Sequence, residues 1–230
     1  MRLTLLRLAR QPVLADPVLA ALAPASVHLA ADAAGVDACL AELAGIAGTA
    51  GRRLVIEVAG VAGLNLVLTR LMRRGLLAVL DTALLITEPV PYLSGQGLPS
   101  SLTDQLALAR QPATRLVGVI KDDSGGLCVD SAVLTPWPGT GGWWVRAMVD
   151  DQQLCDGTVG SISVRRLAPD LLQARVQQSR LRHRTVRGRS LQLACDPAQI
   201  HTDGVGRHRP RGKRTFWSEP ALWRLALPDR

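Results

Sequence analysis

The stretch RLVIEVAGVAGLNLVLTRLM, residues 53–72, decides the fold. Its opening, 54–58, is short, apolar and β-branched with a turn signal after it, the signature of a strand buried on both faces of a parallel sheet. Gly60 and Gly63 end the strand. Beyond them Leu64, Val67, Leu68, Leu71 and Met72 recur at the spacing of one helix face, while Arg70, Arg73 and Arg74 take the other side. The unit reads as strand, glycine turn, helix. In a doubly wound fold such a turn lies at the carboxyl edge of the sheet, where helix N–H groups face a ligand, often a phosphate.

Working outward, residues 2–9 read as a first strand ended by Pro12 and Pro17, and Asp16 caps a short helix running to Leu22. A second strand is expected at 27–30, and a helix over 32–47 with Val36, Cys39, Leu40, Leu43 and Ile46 on one face. Further strands are expected at 76–80 and 83–87. An irregular stretch follows through Glu88, Pro89, Pro91 and Tyr92, and then a helix over 102–110 capped by Ser101. Alternating strands and helices argue for a parallel sheet covered by helices.

After residue 112 the texture changes to short alternating strands, expected at 116–120, 126–134, 145–149, 158–164, 171–176, 190–195, 215–217 and 223–227. Turns are expected around 121–126 and 150–157. The expected architecture is a Rossmann-like α/β domain over residues 1–112 followed by an all-β sandwich over 113–230.

Composition limits the function classes. With 230 residues, 47% of them hydrophobic, the chain builds real cores. The formal charge of +8 comes from arginine, since Lys121 and Lys213 are the only lysines, a bias attributed first to GC-rich coding. The four cysteines, Cys39, Cys128, Cys155 and Cys195, show no metal-site spacing and read as reduced, buried thiols. Arg7, Arg10 and Asp16 interrupt any signal-peptide core, and no run approaches the length of a membrane span, so a cytoplasmic location is expected.

The order of an α/β half and an all-β half resembles the diacylglycerol kinase and sphingosine kinase family of lipid kinases, whose architecture NAD kinases share. That family carries a G-G-D-G-T-x-N-E motif after an apolar strand. Here residues 59–66, AGVAGLNL, stand in its place: the glycine turn and Asn65 match, while Val61 and Leu66 replace the acids. The family's G-T-G-N-D-F loop corresponds to residues 87–92, TEPVPY, of which only the aromatic Tyr92 is similar, and Gly97-Leu98-Pro99 follows at the family's distance. The family's D-G-E turn corresponds to Asp203-Gly204-Val205, again with the acid lost.

The resemblance implies a lipid-kinase-like fold without ATP-dependent transfer. Val61 cannot hold magnesium, and Pro89 and Pro91 take two N–H donors from a loop that would approach phosphate. The expected function is binding of an apolar small molecule, a lipid or a polyketide-like compound, in the cleft between the domains, with an ATP-independent reaction there as a further option. Gly60, Gly63, Asn65, Glu88 and Tyr92 are the expected ligand-binding residues and Asp203 the catalytic candidate, with no metal and no cofactor. Two other readings stay open: an active magnesium-dependent lipid kinase with divergent loops, and a non-catalytic membrane or partner-binding module.

Other constellations weigh less. Asp122-Asp123, Asp150-Asp151 and Asp156 read as turn residues. His201 and Asp203, two apart, would share a face of an extended strand. The arginine runs at 180–189 and 207–214 are either a solvated basic face or an anionic-membrane contact; without interleaved aromatics, nucleic acid is not an expected partner, and a homodimer remains open. Trp217 and Trp223 are expected in the core. Trp143 and Trp144 are expected on opposite faces of a strand.

Overall fold

The computed structural model describes residues 1–8, 20, 22–45, 51–139, 142–179, 181–206 and 211–228. The expected turn and helix at 12–22, the end of the helix at 46–47, Arg180 and residues 207–210 of the second arginine run lie outside the described residues. The chain divides into two units, Met1–Val117 with Leu222–Arg230, and Gly118–Ala221.

The first unit is a parallel sheet with helices. Strands β1 (Arg2–Leu8), β2 (Ser26–Ala30), β3 (Arg52–Val58) and β4 (Asp81–Ile86) lie side by side in the order β4-β3-β1-β2, all parallel. Helices α1 (Ala33–Gly45) and α2 (Val61–Arg73) follow β2 and β3. As the apolar run predicts, β3 is buried over its last six residues, and α2 buries Leu64, Val67, Leu68 and Leu71. Asp37 on α1 pairs with Arg70 on the opposite side of α2 and with Arg74 just past its end. On one face of the sheet, Leu3, Leu5, Val55, Ala83 and Leu85 form a core with Ala109 and Ala226.

The strand expected at 76–80 is instead a turn, because Val79 and Leu80 both bond back to the Leu76 carbonyl, leaving Leu77 and Leu80 buried and Val79 out. Residues 91–95 form a short helix, α3 (Pro91–Gly95), with Pro91 at its first position. Helix α4 (Leu102–Arg110) starts where the sequence places it, its Asp104 amide bonded to the Ser101 hydroxyl.

The second unit is antiparallel. Its strands are the end of β5 (Arg115–Asp122), then β6 (Leu127–Cys128), β7 (Ser131–Pro136), β8 (Trp144–Val149), β9 (Gln152–Thr158), β10 (Ser161–Ala168), β11 (Leu171–Gln177), β12 (His183–Gly188), β13 (Ser190–Thr202), β14 (Val205–Gly206) and most of β15 (Arg211–Leu225). One layer runs β12-β11-β10-β7-β13, and β13 also carries β8 and β15 on its first half. The register of β13 shifts between Ala194 and Ala198, so one long strand serves both layers. Between the layers Leu134, Ile162, Val164, Leu172 and Val176 pack in one core with Val145, Ala147, Leu191, Leu193 and Phe216.

The parallel α/β domain and the β-sandwich are therefore both present. Three local readings change. Residues 150–157 are mostly the strand β9, so Asp156 is not a turn residue but pairs with Arg146 across the ladder. The basic run at 183–188 is the strand β12, with Arg187 on its outward face and Arg184 exposed on the face of Val186. Residues 215–217 and 223–227 belong to one strand, β15, which ends in the first unit with Leu225 opposite Thr82. Trp143 and Trp223 are fully buried and Trp144 is exposed, whereas Trp217 is only half-buried, with Lys121 5.8 Å from its ring centre; Phe216, its neighbour, takes the core position.

Candidate functional site

The carboxyl edge of the first unit's sheet is built by three connections. At the end of β3 the chain turns through Gly60, the N-cap of α2, whose backbone is extended and whose lack of a side chain leaves the first turn without a cap. Ala59 receives two hydrogen bonds at its carbonyl, from the Glu88 amide at 2.9 Å and from the Thr87 hydroxyl at 3.1 Å, which ties the loop after β4 to the turn after β3. The Glu88 carboxylate then lies directly over Gly60: a Cβ built there would overlap Oε2 and sit 2.8 Å from Cδ. A negative group thus stands at the positive end of a 13-residue helix, where a phosphate would otherwise be favoured.

Gly63 serves a different purpose. Its missing side chain lets α2 approach the sheet, since a Cβ there would meet Leu8 at 3.1 Å and Val58 at 3.3 Å. Asn65 is one turn along, with its Oδ1 accepting from the Thr69 hydroxyl at 3.4 Å. Tyr92 is buried on α3. Gly60 and Glu88 meet at the site, whereas Asn65 is engaged along its own helix.

Beside Glu88 lies a cavity of about 120 Å³, lined by Ile86, Thr87, Pro89, Val90, Leu98 and Gln105 among others. Its floor depends on Gln105 of α4, which is buried and spans the end of β4. Its Oε1 accepts from the Ile86 amide at 2.8 Å, and its Nε2 donates to the carbonyls of Ile86 at 3.2 Å and Pro99 at 2.8 Å. The side chain acts as a substitute strand, satisfying backbone groups that would otherwise be buried without partners.

Sequence reasoning missed three buried polar groups of the first unit. Glu57 interrupts the apolar run, is fully buried, and pairs with Arg7 Nε at 2.8 Å across β1 and β3. Arg53 is also buried and donates to the carbonyls of Leu108, Ala109, Gln111 and Pro112, closing the carboxyl end of α4 where a cation is favoured. Burial lowers its pKa, and the charge of Asp81 works against that shift. Gln105 is the third. A charged residue inside the apolar run was the available signal for Glu57.

In the second unit Asp203 is buried, just past the end of β13, with φ +50°. Because it has left the strand, it does not share the extended parity expected with His201. Its carboxylate accepts from the amides of Val129 (2.8 Å), Asp130 (2.9 Å) and Ser131 (3.1 Å) and from the Cys128 thiol (3.2 Å). Burial first, then the charge of Asp203, push that thiol well above its ordinary pKa. The Asp203 carboxylate thus organises a buried turn. Among the described residues there is no group of three or more His, Cys, Asp or Glu side chains able to hold a metal ion.

The fold superposes on those of solved proteins. A diacylglycerol kinase from Bacillus anthracis str. Sterne superposes with a TM-score of 0.74 over 99% of this chain and 97% of its own, at 11% identity. An NAD kinase from Archaeoglobus fulgidus, solved in complex with ATP, gives 0.62 over 98% and 93%, at 12% identity. The fold is that of the diacylglycerol and NAD kinases. No protein-family model matches the sequence, and no curated protein matches it. The kinase-like fold thus stands on shape, and no helix among the described residues is long and apolar enough to cross a membrane.

Proposed function

We propose that this chain is a kinase-like fold that binds a small, largely apolar molecule at the carboxyl edge of its parallel sheet and does not transfer phosphate from ATP. The observation that carries the reading is Glu88, whose carboxylate covers Gly60 at the N-terminus of α2. A triphosphate brought there would meet a like charge, and Val61 in the first turn has no side-chain oxygen for a magnesium ion. Pro89 and Pro91 further reduce the N–H donors of the facing loop.

The adjoining cavity supports the second half of the proposal. Ile86, Pro89, Val90, Leu98 and Pro99 make it largely apolar, and Thr87, Glu88, Ser94, Ser100 and Gln105 give it its polar points. Its 120 Å³ equals about four water volumes. A ring or the end of an acyl chain fits there, with the rest of a larger ligand outside. Asp203 in this reading holds the 129–131 turn and takes no part in chemistry.

Thermal unfolding with ATP and magnesium beside a set of fatty acids, long-chain alcohols and aromatic polyketides tests the reading. A ligand at a hundred times its Kd stabilises by about 2.7 kcal/mol, well within detection. An upward shift with an apolar compound and none with ATP and magnesium is expected. A magnesium-dependent shift with ATP would instead favour an active lipid kinase.

A further inference from the structure

On the second unit, the outward face of β10, β11 and β12 carries cations without acids. The registers align three rows across the strands: Arg165, Gln173 and Arg187; Ser163, Arg175 and Thr185; Ser161, Gln177 and His183. With neighbouring strands about 4.8 Å apart, Arg165 and Arg187 stand two strands apart at about 10 Å and Arg175 about 8 Å from each, so the three arginines share one patch. None of the nine residues is Asp or Glu. Among the described residues Arg165, Arg175, Arg182 and Arg187 enter no ion pair, and Arg165 donates only to Gln173, at 3.4 Å.

At one end of this face is a polar cavity of about 230 Å³, lined by Ser161, Ser163, Arg175, Ser179, Arg182 and His183. Hydroxyls and guanidinium groups are the donors that phosphate oxygens require. Next to it the β11–β12 hairpin ends in Leu181, which is 92% exposed, more than any other large apolar side chain described. Local bonds flank Leu181: the Ser179 hydroxyl accepts from the Leu181 and Arg182 amides at 3.4 and 3.1 Å, and the Gln178 amide donates to the Arg182 carbonyl at 2.9 Å.

We propose that this face docks on an anionic membrane, with a lipid phosphate in the Arg175 and Arg182 cavity and Leu181 entering the interface. A bilayer surface asks for cations beside an apolar insertion, and both occur here on one hairpin. A second copy of the chain would set arginine against arginine. A nucleic-acid backbone would use the cations but has no need of Leu181, and the face offers no aromatic ring for stacking. The inference is independent of the ligand proposed for the first unit.

Co-sedimentation of the full chain with phosphatidylglycerol-containing vesicles, against pure phosphatidylcholine and against duplex DNA, tests it. Each arginine near an anionic surface contributes about a five-fold gain in binding, so Arg175→Gln with Arg187→Gln should cost about twenty-five-fold. Leu181→Asn should cost about ten-fold. These side chains are exposed, so unchanged thermal unfolding verifies that each variant is folded. Binding that requires phosphatidylglycerol, falls at high salt and weakens in both variants supports the proposal. Absence of vesicle binding, indifference to either change, or binding to DNA alone overturns it.

Discussion

Replacing Asp203 by alanine removes the acceptor for three consecutive backbone amides, those of Val129, Asp130 and Ser131, and for the Cys128 thiol. Only part of each bond's strength is net stability, but each buried N–H left without a partner costs about 1–3 kcal/mol. The Val129 amide is fully buried and the other two partly so, which places the loss at about 3–5 kcal/mol. Asn is the informative comparison. It tolerates the left-handed backbone at φ +50° and keeps one oxygen for Asp130 and Ser131, but turns an amide toward the Val129 N–H, so a loss of about 1–3 kcal/mol is expected. Urea unfolding followed by tryptophan fluorescence reports it, because Trp143 is buried in the same unit. A loss below about 1 kcal/mol for Asp203→Ala would refute the structural role and return Asp203 to the list of reactive candidates.

Other outcomes follow from the same geometry. Gly118→Ala would drive a methyl group into the buried Arg166 guanidinium and to 2.6 Å from the Glu219 carbonyl, and a loss of about 1–3 kcal/mol in urea unfolding is expected; unaltered stability would contradict the packing. At Asp150 desolvation raises the carboxyl pKa, but the Arg189 amide and the hydroxyl and amide of Ser190 outweigh it and leave the value below the ordinary one. The stability from that shift is therefore present above about pH 4 and lost as pH falls through the depressed value, so Asp150→Asn should flatten the acid limb of the unfolding profile. An acid limb identical to that of the unmodified protein would refute this. Burial raises the pKa of Cys39, Cys155 and Cys195 to about 11, so native protein at pH 8 should react with iodoacetamide far more slowly than unfolded protein, and equal rates would count against it.

The fold was legible because its deciding signals are local. A β-branched run, a glycine turn and a helix-spaced apolar face specify β3 and α2 without reference to distant residues. Alternation alone located β8, β10 and β11. What stayed hidden depends, with one local exception, on partners far along the chain. The 76–80 segment has strand-like composition but is held as a turn by its own carbonyls. β12 reads as a charge run until its register with β11 makes it a strand. At the site, Gly60 and Glu88 could be named separately, but their contact is a product of the fold and so is the strand-like bridging by Gln105.

In the proposed function Glu88 fills the place at the start of α2 that a phosphate would otherwise take. Titration calorimetry of the purified chain with ATP and magnesium tests it most directly. No measurable heat of binding is expected at millimolar nucleotide. A saturable, magnesium-dependent isotherm from the unmodified protein would contradict it.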